Sequence, residues 1–397
     1  MAHNNNLVPM SSPDVNQSDL DAVISTLKTR YLSIGPKIQS FEKKFCDYTG
    51  AKHAIGVNSG TSGLHLCIRA ADLKPGDYVI TTPFSFVSST NVILFEKAVP
   101  IFVDVDPMTG NMDAEQVAQA VKDLRSGNQE KMRHWLPRKG AASNGTLRSI
   151  LSVDVFGQPA DYNKLQASAK EHQLILIEDS CEALGATYES KPAGRLGDFG
   201  VFAFYPNKQI TTGEGGMIVT DNDKHADYMR ALRNQGRAPG DTWLQHTYLG
   251  YNYRLDEMSA ALGISQMERV EQLLTNRQRV ADFYTSKLSV IDGVETPYIA
   301  PATTRMSWFV YVIRLSRDID RDQTAEKLIA AGIPVRPYFL PIHLQPYIAQ
   351  QFGYQQGDFP TTEDLGNRSL AIPFSGIMTE KQVDIVCEVI KDTLAKF

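Results

Sequence analysis

The chain has 397 residues, of which 42% are hydrophobic and 21% charged, with a formal net charge of −5. That length supports a large core and two domains, and the charge balance excludes the basic character of a nucleic-acid binder. No apolar run approaches the ~18 residues of a membrane-spanning helix, so no membrane partner is expected.

The opening stretch "MAHNNNLVPMSSPDV" lacks the charged, apolar and small-residue regions of a signal peptide, so a cytoplasmic location is the expectation. Cys46, Cys67, Cys181 and Cys387 lie far apart with no CxxC pair and read as isolated buried thiols. The histidines show no HExxH or similar spacing, so no metal is expected.

From about residue 50 to 235, short apolar runs alternate with helical patterns. "HAIGVNSG", "DYVITTPFS", "VPIFVDVD", "RSILSVDVFG" and "QLILIEDS" read as strands. Between several of them lie the helical stretches "SGLHLCIRAADL", "AEQVAQAVKDL" and "DYNKLQASAKEH". "FGVFAFYP" and "GMIVTD" follow as two further strands. Such alternation predicts an α/β fold with a mostly parallel sheet covered on both faces. The polar insert at 125–146 reads as an exposed, partly mobile excursion.

After "GYNYRLDEMSAALGISQMERVEQLL" a long helical pattern runs to about Leu288, and a smaller α+β region follows. It holds the strand "WFVYVIRLS", the helix "DQTAEKLIAAG", the strand "IPVRPYF" and a last helix from about Glu380 to Ala395. The division expected is therefore a large domain over 1–255 and a small one over 256–397.

Ligands of a parallel sheet gather at the carboxyl ends of its strands, and three stretches fall there. "NSGTSG" (58–63) passes from strand to helix, and Gly60, Thr61 and Ser62 offer free helix-start amides and hydroxyls to an anion. An ordinary helix cap accounts for the same residues. Asp179 ends "LILI", where a buried carboxylate needs a partner; that partner is either a structural cation or a protonated heteroaromatic nitrogen. Glu178 points to the opposite face of that strand. Lys208 stands between the aromatic run "FAFYP" and the glycines of "TTGEGG". A lysine in so dry a place is a candidate nucleophilic amine. A phosphate cradle, a carboxylate for a pyridinium and an amine on one sheet edge together point to pyridoxal 5'-phosphate (PLP).

The motifs "NSGTSGLHL", "IEDSCEALGATY", "FAFYPNKQITTGEGG" and "GYNYRLDEMSAALG" resemble those of the DegT/StrS-type PLP-dependent nucleotide-sugar aminotransferases, which have the type I aminotransferase fold. The resemblance runs from "VPMSSPDV" through "GPKIQSFEKKF" to "LPIHLQPY" and "RSLAIPFS", the 125–146 insert excepted. It implies that Lys208 is the Schiff-base lysine, that Asp179 binds the pyridine nitrogen, and that Thr61 and Ser62 bind the phosphate. It further implies that Phe86 stacks on the cofactor, that Asn252 reaches the cofactor phosphate of a neighbouring subunit, and that His343 lies near the sugar-nucleotide site. Phe86 as plain core and His343 as a satisfied loop histidine are the alternatives.

Two positions depart from the family pattern. Glu182 stands where a glutamine is common, and a second carboxylate there must be protonated or paired. Ala203 replaces a phosphate-binding serine, which leaves more of that work to the 60–62 turn and Asn252. Some relatives have histidine in place of the lysine and dehydrate sugars, so Lys208 argues for transamination. The expectation is a homodimer with shared active sites that moves an amino group from L-glutamate to a nucleotide-linked keto sugar, in the biosynthesis of amino sugars and cell-surface polysaccharides. Transamination of another ketone, such as a keto-cyclitol, and a PLP-bound regulatory protein without turnover are the rival readings.

Overall fold

The computed structural model describes residues 7–141 and 145–395. Nine strands occupy the first part of the chain: β1 (His53–Val57), β2 (Tyr78–Thr81), β3 (Val99–Phe102), β4 (Leu147–Val153), β5 (Ile175–Asp179), β6 (Thr187–Tyr188), β7 (Lys191–Pro192), β8 (Phe199–Ala203) and β9 (Gly216–Thr220). Seven of them form the main sheet in the order β1-β9-β8-β5-β4-β2-β3. Only β9 runs against the others, because the short connection from β8 returns it antiparallel. All seven are the strands expected from the sequence.

Alternation along the strands divides their side chains between two cores. Tyr78, Ile80, Ile150 and Leu176 pack under the helices Ala114–Arg125 and Tyr162–His172. Val79, Leu151 and Ile177 pack under the helices Gly60–Ala70, Ser88–Phe95 and Asp223–Arg233. A sheet covered on both faces explains why its strands read as almost unbroken apolar runs.

A second sheet joins β10 (Val294–Glu295), β12 (Tyr311–Leu315) and β13 (Ser369–Ile372), while β11 (Thr303–Arg305) pairs with β6. The helices Val270–Leu288, Arg321–Ala330 and Glu380–Leu394 close its core. Val8 is buried in that same core, and Leu7 N donates to Gly332 O at 2.9 Å, so the start of the described chain is fastened to its end. The helix Glu257–Glu268 meanwhile packs with Phe41 and Phe204 beside the main sheet. The division at 255/256 remains a proposal drawn from the sequence.

Four expectations change. Residues 333–339 form no strand: a single bridge joins Arg336 to Ala371. Pro334 and Pro337 have no N–H to give a ladder. The long helical pattern breaks at Arg269, which ends one helix and starts the next while its guanidinium holds Asp14 and Asp19 at 2.8 Å. The 125–146 insert is not simply an exposed excursion. It contains the helix Gln129–Trp135, whose Met132 is buried, and Arg138 pairs with Asp358 at 2.7 Å. Residues 142–144 of the insert lie outside the described ones. Of the thiols, Cys67 and Cys387 are buried as expected, whereas Cys46 and Cys181 are only half-buried. Among the described residues no helix is long and apolar enough to cross a membrane.

Candidate active site

The carboxyl ends of β1, β2, β4, β5 and β8 open into one cavity of about 540 Å³. Gly60, Thr61, Phe86, Asp179, Glu182 and Lys208 all line it. Chain segments more than a hundred residues apart thus meet where the sheet rule places a ligand.

At the end of β1, Ser59 caps the helix Gly60–Ala70 by accepting the Ser62 N–H at 3.1 Å. The amides of Gly60 and Thr61 precede any intrahelical acceptor and remain for an anion. Ser62 is spent differently: its hydroxyl donates to Asn58 Oδ1 at 2.6 Å, and it does not line the cavity. Glycine is required at two contacts here. A Cβ on Gly60 would come within 2.8 Å of both Ala203 Cβ and Cys181 Sγ, and one on Gly216 within 2.7 Å of the Ser59 backbone.

Asp179 is 5% exposed at the end of β5. Ser89 Oγ donates to its Oδ2 at 2.7 Å and the Cys181 amide to its Oδ1 at 3.2 Å. No cation pairs with it among the described residues, so the structural ion pair considered for it is absent. Glu178, its neighbour, faces the other way and accepts from the amides of Gly194, Leu196 and Gly197.

Lys208 follows β8, and its Nζ lies 3.7 Å from the centre of the Phe309 ring and 3.6 Å from Glu182 Oε1. Glu182 Oε2 also accepts from the Phe156 amide at 2.9 Å. Burial raises the Glu182 carboxyl above its usual range, and the Lys208 ammonium pulls part of the way back. The second carboxylate at this site is therefore paired, which meets the condition set by its charge.

Phe86 presents a large ring 63% exposed at the cavity wall, whereas Phe84 two residues earlier fills the core. His343 is not brought to the cavity. Its ring is fully buried beside Phe359, with Nε2 2.9 Å from Glu363 Oε1, and burial holds the imidazole below its usual range. Asn252 is exposed and lies outside its own chain's cavity, where its carbonyl accepts from Asn58 Nδ2 at 3.4 Å.

Sequence reading missed Ser89, Phe309 and Tyr338. Ser89 had a local signal, the hydroxyl-rich run "FSFVSST" after β2. Phe309 and Tyr338 reach the cavity from the C-terminal region and had none.

Residues 13–391 match the DegT/DnrJ/EryC1/StrS aminotransferase family. The chain belongs to this family. It is an aminotransferase with the type I fold, and its cofactor is PLP. The GDP-perosamine synthase of Caulobacter vibrioides is 36% identical over 391 residues, which cover 98% of each chain. Among solved structures, Helicobacter pylori PseC, an aminotransferase involved in the biosynthesis of pseudoaminic acid, superposes with a TM-score of 0.87. It is 26% identical and covers 98% of this chain and 100% of its own. A DegT DnrJ EryC1 StrS aminotransferase from Brucella abortus is 30% identical with a TM-score of 0.82, covering 94% of this chain and 95% of its own.

The cavity fits PLP on its own evidence. A buried carboxylate without a counter-ion, an amine, first-turn amides and an exposed aromatic ring face one space of suitable size.

Proposed function

We propose that the protein transfers an amino group from L-glutamate to a keto sugar carried on a nucleotide, as a cytoplasmic homodimer in amino-sugar and cell-surface polysaccharide synthesis. The observation that carries the reading is the uncompensated Asp179 carboxylate in one cavity with Lys208. Full-length relatives support the substrate class: GDP-perosamine synthase, and the Bacillus subtilis spore coat polysaccharide biosynthesis protein SpsC at 32% identity.

When bound, PLP supplies an aldehyde that condenses with amines and a ring that accepts carbanion charge. The chain's residues have separate tasks around it. Lys208 Nζ would hold the cofactor through its aldehyde and, once free, would serve as the general base that carries the proton. Asp179 holds the proton on the ring nitrogen, and Ser89 fixes the rotamer of its carboxylate. The Gly60 and Thr61 amides take the phosphate, with Asn252 of a neighbouring copy as a further donor, which makes up for Ala203. Phe86 covers a ring face. Glu182 balances the charge of Lys208 while the amine is free.

The test has two stages. Glutamate alone should convert the cofactor to its amine form, as an exchange in two halves requires; no conversion overturns glutamate as the donor. A panel of nucleotide-linked keto sugars and free keto-cyclitols then identifies the acceptor. Turnover of cyclitols alone overturns the sugar assignment.

A further inference from the structure

Arg277 lies on the buried face of the helix Val270–Leu288, with Leu273, Leu274, Val280 and Ala281. Burial pushes its guanidinium down to about 10, and the one charge that opposes this, Asp14, is already committed to Arg269 at 2.8 Å. A buried cation without a carboxylate is costly, and an apolar side chain would pack this face without that cost. Its place on this face therefore rests on what its donors hold.

The hydrogen bonds of its two terminal nitrogens end on main-chain carbonyls. Nη2 donates to Asn207 O at 3.1 Å and to Lys208 O at 2.5 Å. Nη1 donates to Trp308 O at 3.3 Å and to Phe309 O at 3.2 Å. One planar fork thus joins the segment that carries the lysine to the segment whose ring lies 3.7 Å from the lysine's Nζ. Lysine could not make this bracket, because its donors radiate from a single atom.

Resting on the role proposed above for Lys208, we propose that Arg277 is its positioning residue. By bracketing 207–208 against 308–309, it holds Nζ between the Phe309 ring and the Glu182 carboxylate.

The test uses the full chain stripped of cofactor and mixed with excess PLP, then borohydride. The Lys208 amine adds to the aldehyde carbon with loss of water, and borohydride delivers hydride to the C=N bond, which marks the Lys208 peptide. At saturating cofactor, Arg277→Lys and Arg277→Met should slow this trapping ~10- to 100-fold, the loss that a misplaced reacting group brings. The Kd for PLP should change far less. A lowered thermal midpoint with wild-type trapping in the folded protein assigns Arg277 to structure alone and overturns the proposal. Should neither variant fold, Phe309→Leu removes the ring that the bracket sets against Nζ and leaves the carbonyls held by Arg277 in place. It should slow trapping in the same way, and a wild-type rate overturns the proposal. Wild-type protein marked at another lysine, or not at all, is a distinct failure, that of the Lys208 assignment itself.

Discussion

At the level of single residues, Asp179 and Lys208 each make a prediction about activity, and Asp179 one about stability as well. Asp179 is buried with no counter-ion among the described residues, so Asp179→Asn relieves an unpaired charge while keeping the shape. The variant should melt no lower than wild type yet lose most activity, since an amide cannot hold the ring proton. Thermal midpoint and rate on one preparation check this; a less stable but active variant would reduce Asp179 to a structural group. Lys208→Ala should still bind PLP without a covalent link. Its turnover should fall by more than the ~10²–10⁴-fold typical of losing an acid–base group alone. Both residues were legible because each stands at the end of an apolar run, where a charge has no structural reason to be. Phe309 was not, because its role depends on Lys208, 101 positions away, and Ser89 showed only as one of a run of hydroxyls, with its partner Asp179 90 positions away.

At the level of elements, β5 carries one group to each face of the sheet, and the inner one sets a pH dependence. Burial pushes Glu178 from an ordinary 4.5 up to about 7, and burial, with Glu178 next in line, pushes Asp154 well up too. Between those limits the folded protein keeps a proton that the unfolded chain has released. Stability is therefore fully present at low pH and falls as pH rises towards 7. Thermal midpoints from pH ~5 to ~8 should decline in wild type and decline less in Glu178→Gln; equal slopes would assign the effect to other groups. The meeting of the Gly60 helix with β8 gives a second test. Gly60→Ala places a Cβ 2.8 Å from Ala203 Cβ and Cys181 Sγ. It should cost ~1–3 kcal/mol in denaturant titration, the usual penalty of overpacking, and weaken PLP binding because the first-turn amides shift. All seven strands of the main sheet were legible from apolar runs and turn residues. The segment 333–339 was misread because its β-branched residues outweighed two prolines, and the break at Arg269 was invisible because Asp14 and Asp19 come from the other end of the chain.

At the level of the whole molecule, a single copy leaves part of its surface unexplained. Leu20, Ile24 and Leu27 on the helix Gln17–Leu27, and Trp243, Leu244 and Leu249 in the loop before Asn252, are large apolar side chains facing solvent. Large apolar side chains that face solvent mark surface that another protein covers, and Asn252 follows the second group in the chain without reaching its own cavity. A second copy over this face would bring Asn252 to the partner's phosphate site. Two inactive homodimers test the arrangement: Lys208→Ala, and Asn252→Asp, which sets a carboxylate against the phosphate. If each site takes its lysine from one chain and its asparagine from the other, a mixed dimer holds one doubly damaged site and one intact site. Activity should then return when the two variants are refolded together, towards a quarter of the wild-type rate in an equal mixture: half the dimers are mixed, and each has one working site of two. If Asn252 serves its own chain's cofactor, every site in the mixed dimer keeps one lesion and no activity returns. The shared site would then be wrong, while the assignment of PLP to Lys208 would stand.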